Sequence, residues 1–579
     1  MMLAGDVFGN RGAERGTEKW PNWLSKRALL TPHRIAARYG RETVTFAQLH
    51  EDARRKAQAL LGLGVRPGDL VAIYSRNHLH ALSLICAVAY AGAVLLPINL
   101  RLSVDEAAFQ LADSGARFVV HDEESASFVR QCLEAAVRMK RDEAADGQAV
   151  PVPVPATAIS HHELEKLANS AERKEGPEQP MLSEYVDPGS PATIMYTSGT
   201  TGRPKGVVQT WGNHWASAIG SALNLGLRED DCWLVCLPMY HISGLSAVYK
   251  SLIYGMCIEI MERFDPRAVN EAILSGRISI ISVVTAMLNR MVDDLDELDN
   301  RSYPERLRCV LLGGGPVPLP LLERCVAKGI PVYQSYGMTE TASQIATLSP
   351  DYMLSKLGSA GKPLFLSELR IVNERNEDAS PLESGEILVR GPNVTPGYFN
   401  RPEATREAFR DGWLRTGDIG YVDEDGFLYV QDRRSDLIIS GGENVYPAEI
   451  ESVLAAHEAV LEAGVTGVDH PVWGKTPAAF VVVRSFPQSE SEREALKQEL
   501  LRHCREKLAK YKVPADIHFV AALPRNGTNK LLRRELVRLL PQENRPAEGD
   551  RFSHGNQHPQ EPRISGSQMD RTRGEGDSH

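Results

Sequence analysis

The sequence predicts an α/β protein with a large layered domain followed by a smaller α+β unit. Three observations carry this reading. Short apolar runs alternate with helix-period segments through most of the chain. Glu386–Arg390 and Leu428–Gln431 read as strands of an antiparallel or barrel-like part. A further set of strands and helices begins near Ser435, after a polar, charged stretch.

The elements follow in order. Thr43–Phe46 opens a short strand, Leu70–Tyr74 forms another, and Phe118–His121 a third. Ala81 to Ile98 is the one segment apolar enough to suggest a membrane span, but it contains Ser83, Gly92 and Pro97. It reads as a helix over Leu79–Ala91 stopped by Gly92, then a short strand over Ala93–Leu96. Residues 138–187 are rich in Pro, Glu and Lys, including the alternating Val-Pro run at 150–155, and are expected to be a surface connector. Strands are expected at Ala192–Tyr196, Val207–Gln209, Trp233–Leu237, Ile278–Val284, Arg308–Leu312 and Pro331–Gln334. The second unit has expected strands Leu437–Ile439, Glu462–Val468, Ala478–Val483 and Ile517–Ala521, and helices Pro447–Ala456 and Ser491–Ala509. The boundaries are therefore a polar extension at 1–27, a main domain at 28–434, a second domain at 435–540 and a disordered tail at 541–579.

Composition narrows the function. The chain has 579 residues, a formal net charge of −10, 42% hydrophobic and 24% charged residues. These values exclude a disulfide-stapled miniprotein, a collagen-like rod and a fully disordered chain. The acidic balance argues against nucleic acid as a partner. Eight cysteines are sparse, and no CxxC pair suggests zinc. Cys232 and Cys236, in a strand, would lie roughly 13 Å apart at about 3.3 Å per residue, too far to bridge. Buried reduced thiols, a polar N-terminus and no membrane span point to the cytoplasm.

The chemistry concentrates in Tyr196-Thr197-Ser198-Gly199-Thr200-Thr201-Gly202-Arg203-Pro204-Lys205-Gly206. Glycines allow close backbone approach, and four hydroxyls with a lysine can wrap an anion. It is not a Walker A loop, because no Gly-Lys-Ser/Thr ends it and a strand follows where a helix should.

With this string the sequence resembles the adenylate-forming family of acyl-CoA synthetases, adenylation domains and luciferases. Further signatures follow in the family's order. They are Tyr336-Gly337-Met338-Thr339-Glu340, Thr416-Gly417-Asp418, Arg433 to Asp436, Gly441-Gly442-Glu443 and Pro524-Arg525-Asn526-Gly527-Thr528-Asn529-Lys530. The resemblance covers roughly residues 20 to 540 and implies ATP with Mg²⁺, and CoA as co-substrate. In such enzymes a carboxylate oxygen attacks the α-phosphate of ATP and pyrophosphate leaves. Two anions must meet, so cations have to offset their repulsion.

Carried over residue by residue, Thr197, Ser198, Gly199, Thr200, Thr201 and Lys205 would hold the β- and γ-phosphates. Glu340 would be the Mg²⁺ ligand. Gly313 and Gly314 would pack the adenine, with Ser335, Tyr336, Gly337 and Thr339 nearby. Asp418 and Arg433 would take the ribose hydroxyls. Lys530 would bridge the acyl carboxylate and the α-phosphate as a flexible point cation. Asp436 would be the hinge on which a mobile small domain turns between half-reactions, and Gly441 and Gly442 would line the CoA passage. Thr197, His241, Glu340 and Lys530 are the catalytic candidates.

The acyl pocket is expected around His241, Ser243, Lys250, Gly337 and Thr341. The string Leu237-Pro238-Met239-Tyr240-His241-Ile242-Ser243-Gly244-Leu245-Ser246 is similar to the family branch that activates 2-succinylbenzoate for menaquinone biosynthesis. So are Gly212-Asn213-His214, Ser343-Gln344-Ile345 and Asp432-Arg433-Arg434-Ser435-Asp436-Leu437. That acid carries two carboxylates, and the one left ionised needs a cation in a closed pocket. Lys250, within an otherwise apolar helix pattern, is the candidate; a lysine snorkelling to water is the competing reading. His241 would orient the acyl carboxylate or gate the pocket, or be a core histidine. Three alternatives stay open. They are a CoA ligase for another acid, a stand-alone adenylation enzyme and a catalytically silent binding module.

Overall fold

The computed structural model describes residues 19–145, 157–171, 181–197, 204–298, 302–315, 317–433, 436–440, 443–470, 473–508, 510–525 and 531–540. Two sheets dominate them. One has six strands, in the order Lys205–Thr210, Pro191–Thr197, Val94–Pro97, Leu70–Tyr74, Phe118–His121 and Thr157–Ser160. The other has nine and runs through Val332–Met338, Cys309–Leu312, Ile280–Val283, Cys232–Val235, Cys257–Ile260 and Ile35–Tyr39.

Strand periodicity assigns the faces. Val71 and Ile73 enter one core, while Leu70, Ala72 and Tyr74 enter another. On the larger sheet, Trp233 and Val235 join the core of Val71, whereas Cys232 and Leu234 enter a third. The two sheets therefore share one apolar layer, and each has a second core on its outer face. Helices Phe46–Gly62, Leu79–Tyr90 and Ile242–Tyr254 supply side chains to the shared layer. Continuous apolar runs are what a strand covered on both faces requires.

An antiparallel sheet of five strands follows, including Gly385–Arg390, Trp413–Val422 and Leu428–Arg433. The C-terminal part has its own sheet: Ile438–Ser440, Glu443–Val445, Val460–His470, Gly474–Val483 and Asp516–Phe519. Helices Pro447–Ala455 and Glu490–Lys507 accompany it, and Ile450, Val465, Val481 and Leu500 belong to its separate core. Among the described residues no helix is long and apolar enough to cross a membrane. The Ala81–Ile98 segment is a helix to Tyr90, a Gly92 at φ +66° and the strand Val94–Pro97.

Three expectations need correction. Residues 157–171, inside the expected connector, form an edge strand and a helix whose Leu164 and Ala168 are fully buried. One buried residue every four is enough to seat a short helix, and the flanking Pro-rich text conceals it. The expected extension 1–27 contains Trp20–Pro21, paired with Tyr185–Val186, and the helix Trp23–Leu30. Trp23 packs edge-on against Trp211 at 4.9 Å. Phe46 starts a helix rather than ending a strand, because Thr45 and Gln48 form a capping box there. The tail 541–579 lies outside the described residues.

Candidate active site

The strands Pro191–Thr197 and Lys205–Thr210 form an antiparallel hairpin that sets Lys205 opposite Thr197. The loop carrying Ser198, Gly199, Thr200 and Thr201 lies outside the described residues. Gln209, fully buried, donates its amide hydrogen to the Thr339 carbonyl and links the hairpin to the turn Thr339–Thr341. The Thr395 N–H donates to the Glu340 carbonyl at 2.7 Å, and the Phe399 N–H to the Gly206 carbonyl at 2.7 Å. Segment 395–399 therefore stitches the hairpin to the glutamate.

Tyr398 completes that stitch. Its hydroxyl donates to Glu340 Oε1 at 3.2 Å, and Lys205 Nζ lies 5.3 Å from its ring centroid. Burial, reinforced by Glu340, pushes the phenol pKa well up, so it stays a donor. A cation and a carboxylate are thus positioned by one aromatic side chain. A single half-buried carboxylate that shares Tyr398 with a lysine fits a Mg²⁺ that keeps its waters and arrives with nucleotide phosphates. Among the described residues no cluster of His, Cys, Asp and Glu could hold a metal unaided.

Strand Val332–Met338 brings in the next groups. Tyr336 donates its hydroxyl to buried Asp418 at 2.8 Å. Asp418 follows Gly417 at φ +72° and faces Arg433 in strand register; the Arg433 side chain is outside the described atoms. Ser335 donates to the Leu312 carbonyl at 3.2 Å, and a Cβ on Gly313 would sit 2.9 Å from its Oγ. Gly314 has φ +87°. At Gly337 a Cβ would meet the Ser343 carbonyl oxygen at 1.8 Å, so only glycine permits this strand crossing. The strand runs on past Gln334, where the sequence suggests it stops, because this close approach lets it keep pairing with Ser343–Thr347.

Three of the five acyl candidates belong to helix Ile242–Tyr254 and its N-cap: His241, Ser243 and Lys250. Arg27 caps its C-terminal end by donating to the carbonyls of Leu252, at 3.0 Å, and Ile253. His241 stands at its N-cap without a side-chain capping bond, and its Nε2 is buried with no hydrogen-bond partner among the described residues. Burial, with Arg101 adding to it, holds its pKa down to about 4, so the ring is neutral at pH 7. Ser243 is half-buried on the first turn.

Lys250 is 1% exposed and donates to Gln344 Oε1 at 2.8 Å, with Trp233 at 5.1 Å. No carboxylate among the described residues pairs with it, and burial lowers its pKa to about 7. The snorkelling alternative fails, because the ammonium is inside. Gln344 faces Gly337 in register, which joins two of the expected acyl residues. Thr341 is fully buried, and its hydroxyl engages the backbone of Met338 and Ser343 as a staple of the turn.

Asp436 accepts from Arg533 Nη1 at 3.1 Å, and Arg533 also grips Glu451. Gly441, Gly442 and Lys530 lie outside the described residues. Sequence reasoning missed Tyr398, Gln209 and the role of Gln344. The Pro396-Gly397 turn before Tyr398 was the only local signal.

Tyr398 gathers a lysine and a carboxylate, and Tyr336, four residues before Glu340, holds a second carboxylate, Asp418; this is a set of groups suited to an enzyme that binds a nucleotide and its metal. The family model described as AMP-binding enzyme matches residues 24–399, and that described as AMP-binding enzyme C-terminal domain matches 449–530. The chain belongs to the AMP-binding enzyme family. It is 53% identical to the 2-succinylbenzoate–CoA ligase of Geobacillus sp. (strain WCH70) over 521 residues, 90% of this chain and 98% of that protein. Among solved structures it resembles o-succinylbenzoate CoA synthetase from Bacillus subtilis in complex with the acyl-adenylate intermediate OSB-AMP. That match has 47% identity and a TM-score of 0.77, covering 90% of this chain and 98% of the other. The Bacillus subtilis enzyme in complex with ATP and magnesium ion matches at 46% identity and a TM-score of 0.76, covering 90% and 100%.

Proposed function

We propose that the chain is an AMP-forming 2-succinylbenzoate–CoA ligase. The observation that carries the choice of acid is Lys250, a buried ammonium with an amide oxygen but no carboxylate beside it among the described residues. A dicarboxylic acid that keeps one charge after activation supplies the missing anion, whereas an alkyl tail would leave the cation unpaired. The likeness to succinylbenzoate–CoA ligases over nine-tenths of the chain supports the same reading.

The reaction has two halves. One carboxylate of the acid attacks the α-phosphate of ATP, and pyrophosphate leaves. The CoA thiol then attacks the acyl carbon of the adenylate, and AMP leaves. Thr197, Ser198, Gly199, Thr200, Thr201 and Lys205 bind the outer phosphates. Glu340, oriented by Tyr398, holds Mg²⁺, which when bound neutralises phosphate charge. Gly313, Gly314, Ser335, Tyr336, Gly337 and Thr339 form the adenine surface, and Asp418 with Arg433 fixes the ribose. Neutral His241 orients the reacting carboxylate by hydrogen bonding rather than by charge. Lys530 stabilises charge on the α-phosphate, and the small domain turns at Asp436 to bring Gly441 and Gly442 to the CoA passage.

We assign the enzyme to menaquinone biosynthesis in the cytoplasm. Eight free, buried cysteines fit a reducing compartment. The test is CoA-dependent AMP and pyrophosphate production from 2-succinylbenzoate, compared with benzoate, malonate and octanoate. Preference for any of the other three would overturn the acid assignment, and formation of ADP would overturn the chemistry.

A further inference from the structure

Cys232, which shares its stretch of sequence with Cys236, faces a different cysteine across the sheet. Cys232 opens strand Cys232–Val235 and Cys257 opens strand Cys257–Ile260, and the two are directly opposed in a parallel ladder. Neighbouring strands lie about 4.8 Å apart. That spacing falls inside the Cα separation a disulfide accepts. Paired positions also send their side chains to the same face.

Arg38, on the adjoining strand Ile35–Tyr39, reaches both sulfurs. Its Nη1 lies 3.1 Å from Cys257 Sγ and 3.7 Å from Cys232 Sγ. The nearby Glu259 carboxylate is held by Arg277 at 3.1 and 3.2 Å, which offsets its effect on the thiols. Both cysteines line a cavity of about 400 Å³ that also takes in Arg34, Arg38, Glu229 and Arg306. None of the residues assigned to nucleotide or acyl binding lines it.

We propose that Cys232 and Cys257 form a peroxide-oxidisable dithiol, a modification site reached through this cavity. The hydrogen bond from Cys232 lowers the Cys257 pKa against the opposing effect of burial, and Arg38 adds to the lowering. Burial pushes Cys86, Cys236, Cys309 and Cys325 up to about 12 and keeps them inert. The Cys257 thiolate attacks one peroxide oxygen and breaks the O–O bond, giving a sulfenic acid and hydroxide. Hydroxide takes up the proton lost when the thiol ionised. The Cys232 sulfur then attacks the Cys257 sulfur, the S–O bond breaks and water leaves with the Cys232 proton. In sum two thiols and one hydrogen peroxide give one disulfide and two waters. The bridge closes the stretch that carries His241, Ser243 and Lys250.

The full-length protein, treated with a small excess of hydrogen peroxide, tests this. The expected result is loss of two titratable thiols and about 2 Da of mass. A 232–257 linked peptide should appear under non-reducing digestion, and dithiothreitol should reverse the change. Cys232→Ser should stop Cys257 at the sulfenic acid, trapped by dimedone, and Arg38→Met should slow oxidation roughly tenfold. Unchanged thiol content, a bridge between other cysteines, or an Arg38→Met rate equal to that of the unsubstituted protein would overturn the proposal.

Discussion

Tyr398 donates its hydroxyl hydrogen to Glu340 across 58 positions of sequence, at 3.2 Å. The same ring lies under the Lys205 ammonium. One phenol therefore sets the spacing between the cation and the carboxylate that the proposed function directs at ATP phosphates and Mg²⁺.

Tyr398→Phe separates the two contacts. The ring and its cation–π contact stay, and the hydrogen bond to a charged group goes, a loss of about 1.5–3 kcal/mol. Pyrophosphate exchange measured against free Mg²⁺ should show a half-saturating concentration raised roughly tenfold, with KM for the acid unchanged. Tyr398→Ala should add a rise in KM for ATP. An unaltered Mg²⁺ dependence in Tyr398→Phe would remove the positioning role.

How much of this was legible in the sequence depends on the range of each interaction. Leu70–Tyr74 and Phe118–His121 match their expected bounds, because uninterrupted apolar runs between turns leave one local solution. Asp418 and Tyr336 stand in expected motifs, but their mutual hydrogen bond spans 82 positions and leaves no local trace. Lys250 is conspicuous as a charge in an apolar helix. Its partner Gln344 comes from 94 positions away, so only the fold shows that the ammonium is inside. Thr341 sits in the expected motif, and its contacts to the carbonyls of Met338 and Ser343 are local.

Lys250 should make acid binding pH-dependent. Its folded, ligand-free pKa is lowered to about 7, so the folded chain has given up a proton that the unfolded chain keeps up to about pH 10.4. Stability therefore rises with pH across that window, and binding an anion at this site takes a proton up. KM for succinylbenzoate should climb above pH 7, approaching tenfold per unit, while KM for ATP climbs less. Lys250→Arg should flatten the acid profile, and Lys250→Leu should raise KM for the acid at every pH. Parallel profiles for acid and ATP would count against the pairing.

Two glycines give a matched steric test. Gly337→Ala drives a methyl group onto the Ser343 carbonyl, where backbone must move. The expected cost is about 3 kcal/mol or more, read as a fall in Tm together with loss of adenylate formation. Gly315→Ala meets nothing within 4 Å and should change stability by less than about 0.5 kcal/mol. Equal Tm values for the two variants would show that the turn after Gly337 yields easily and does not depend on glycine.

The two half-reactions should separate genetically. Asp436 is anchored by Arg533, which also holds Glu451 of helix Pro447–Ala455, so motion at Asp436 carries that helix with it. Proline at 436 would fix a backbone dihedral at the proposed hinge. Asp436→Pro should keep pyrophosphate exchange within about threefold and slow thioester formation from supplied acyl-adenylate by about 100-fold. Lys530→Ala should do the reverse: the proposed function gives this cation the charge developing on the α-phosphate, and losing such a cation costs about 3 kcal/mol or more in adenylation alone. Both rates are measured on each variant, by exchange of labelled pyrophosphate into ATP and by chromatographic detection of the CoA thioester. If either substitution depresses both rates equally, a domain that turns between the two steps is the wrong description.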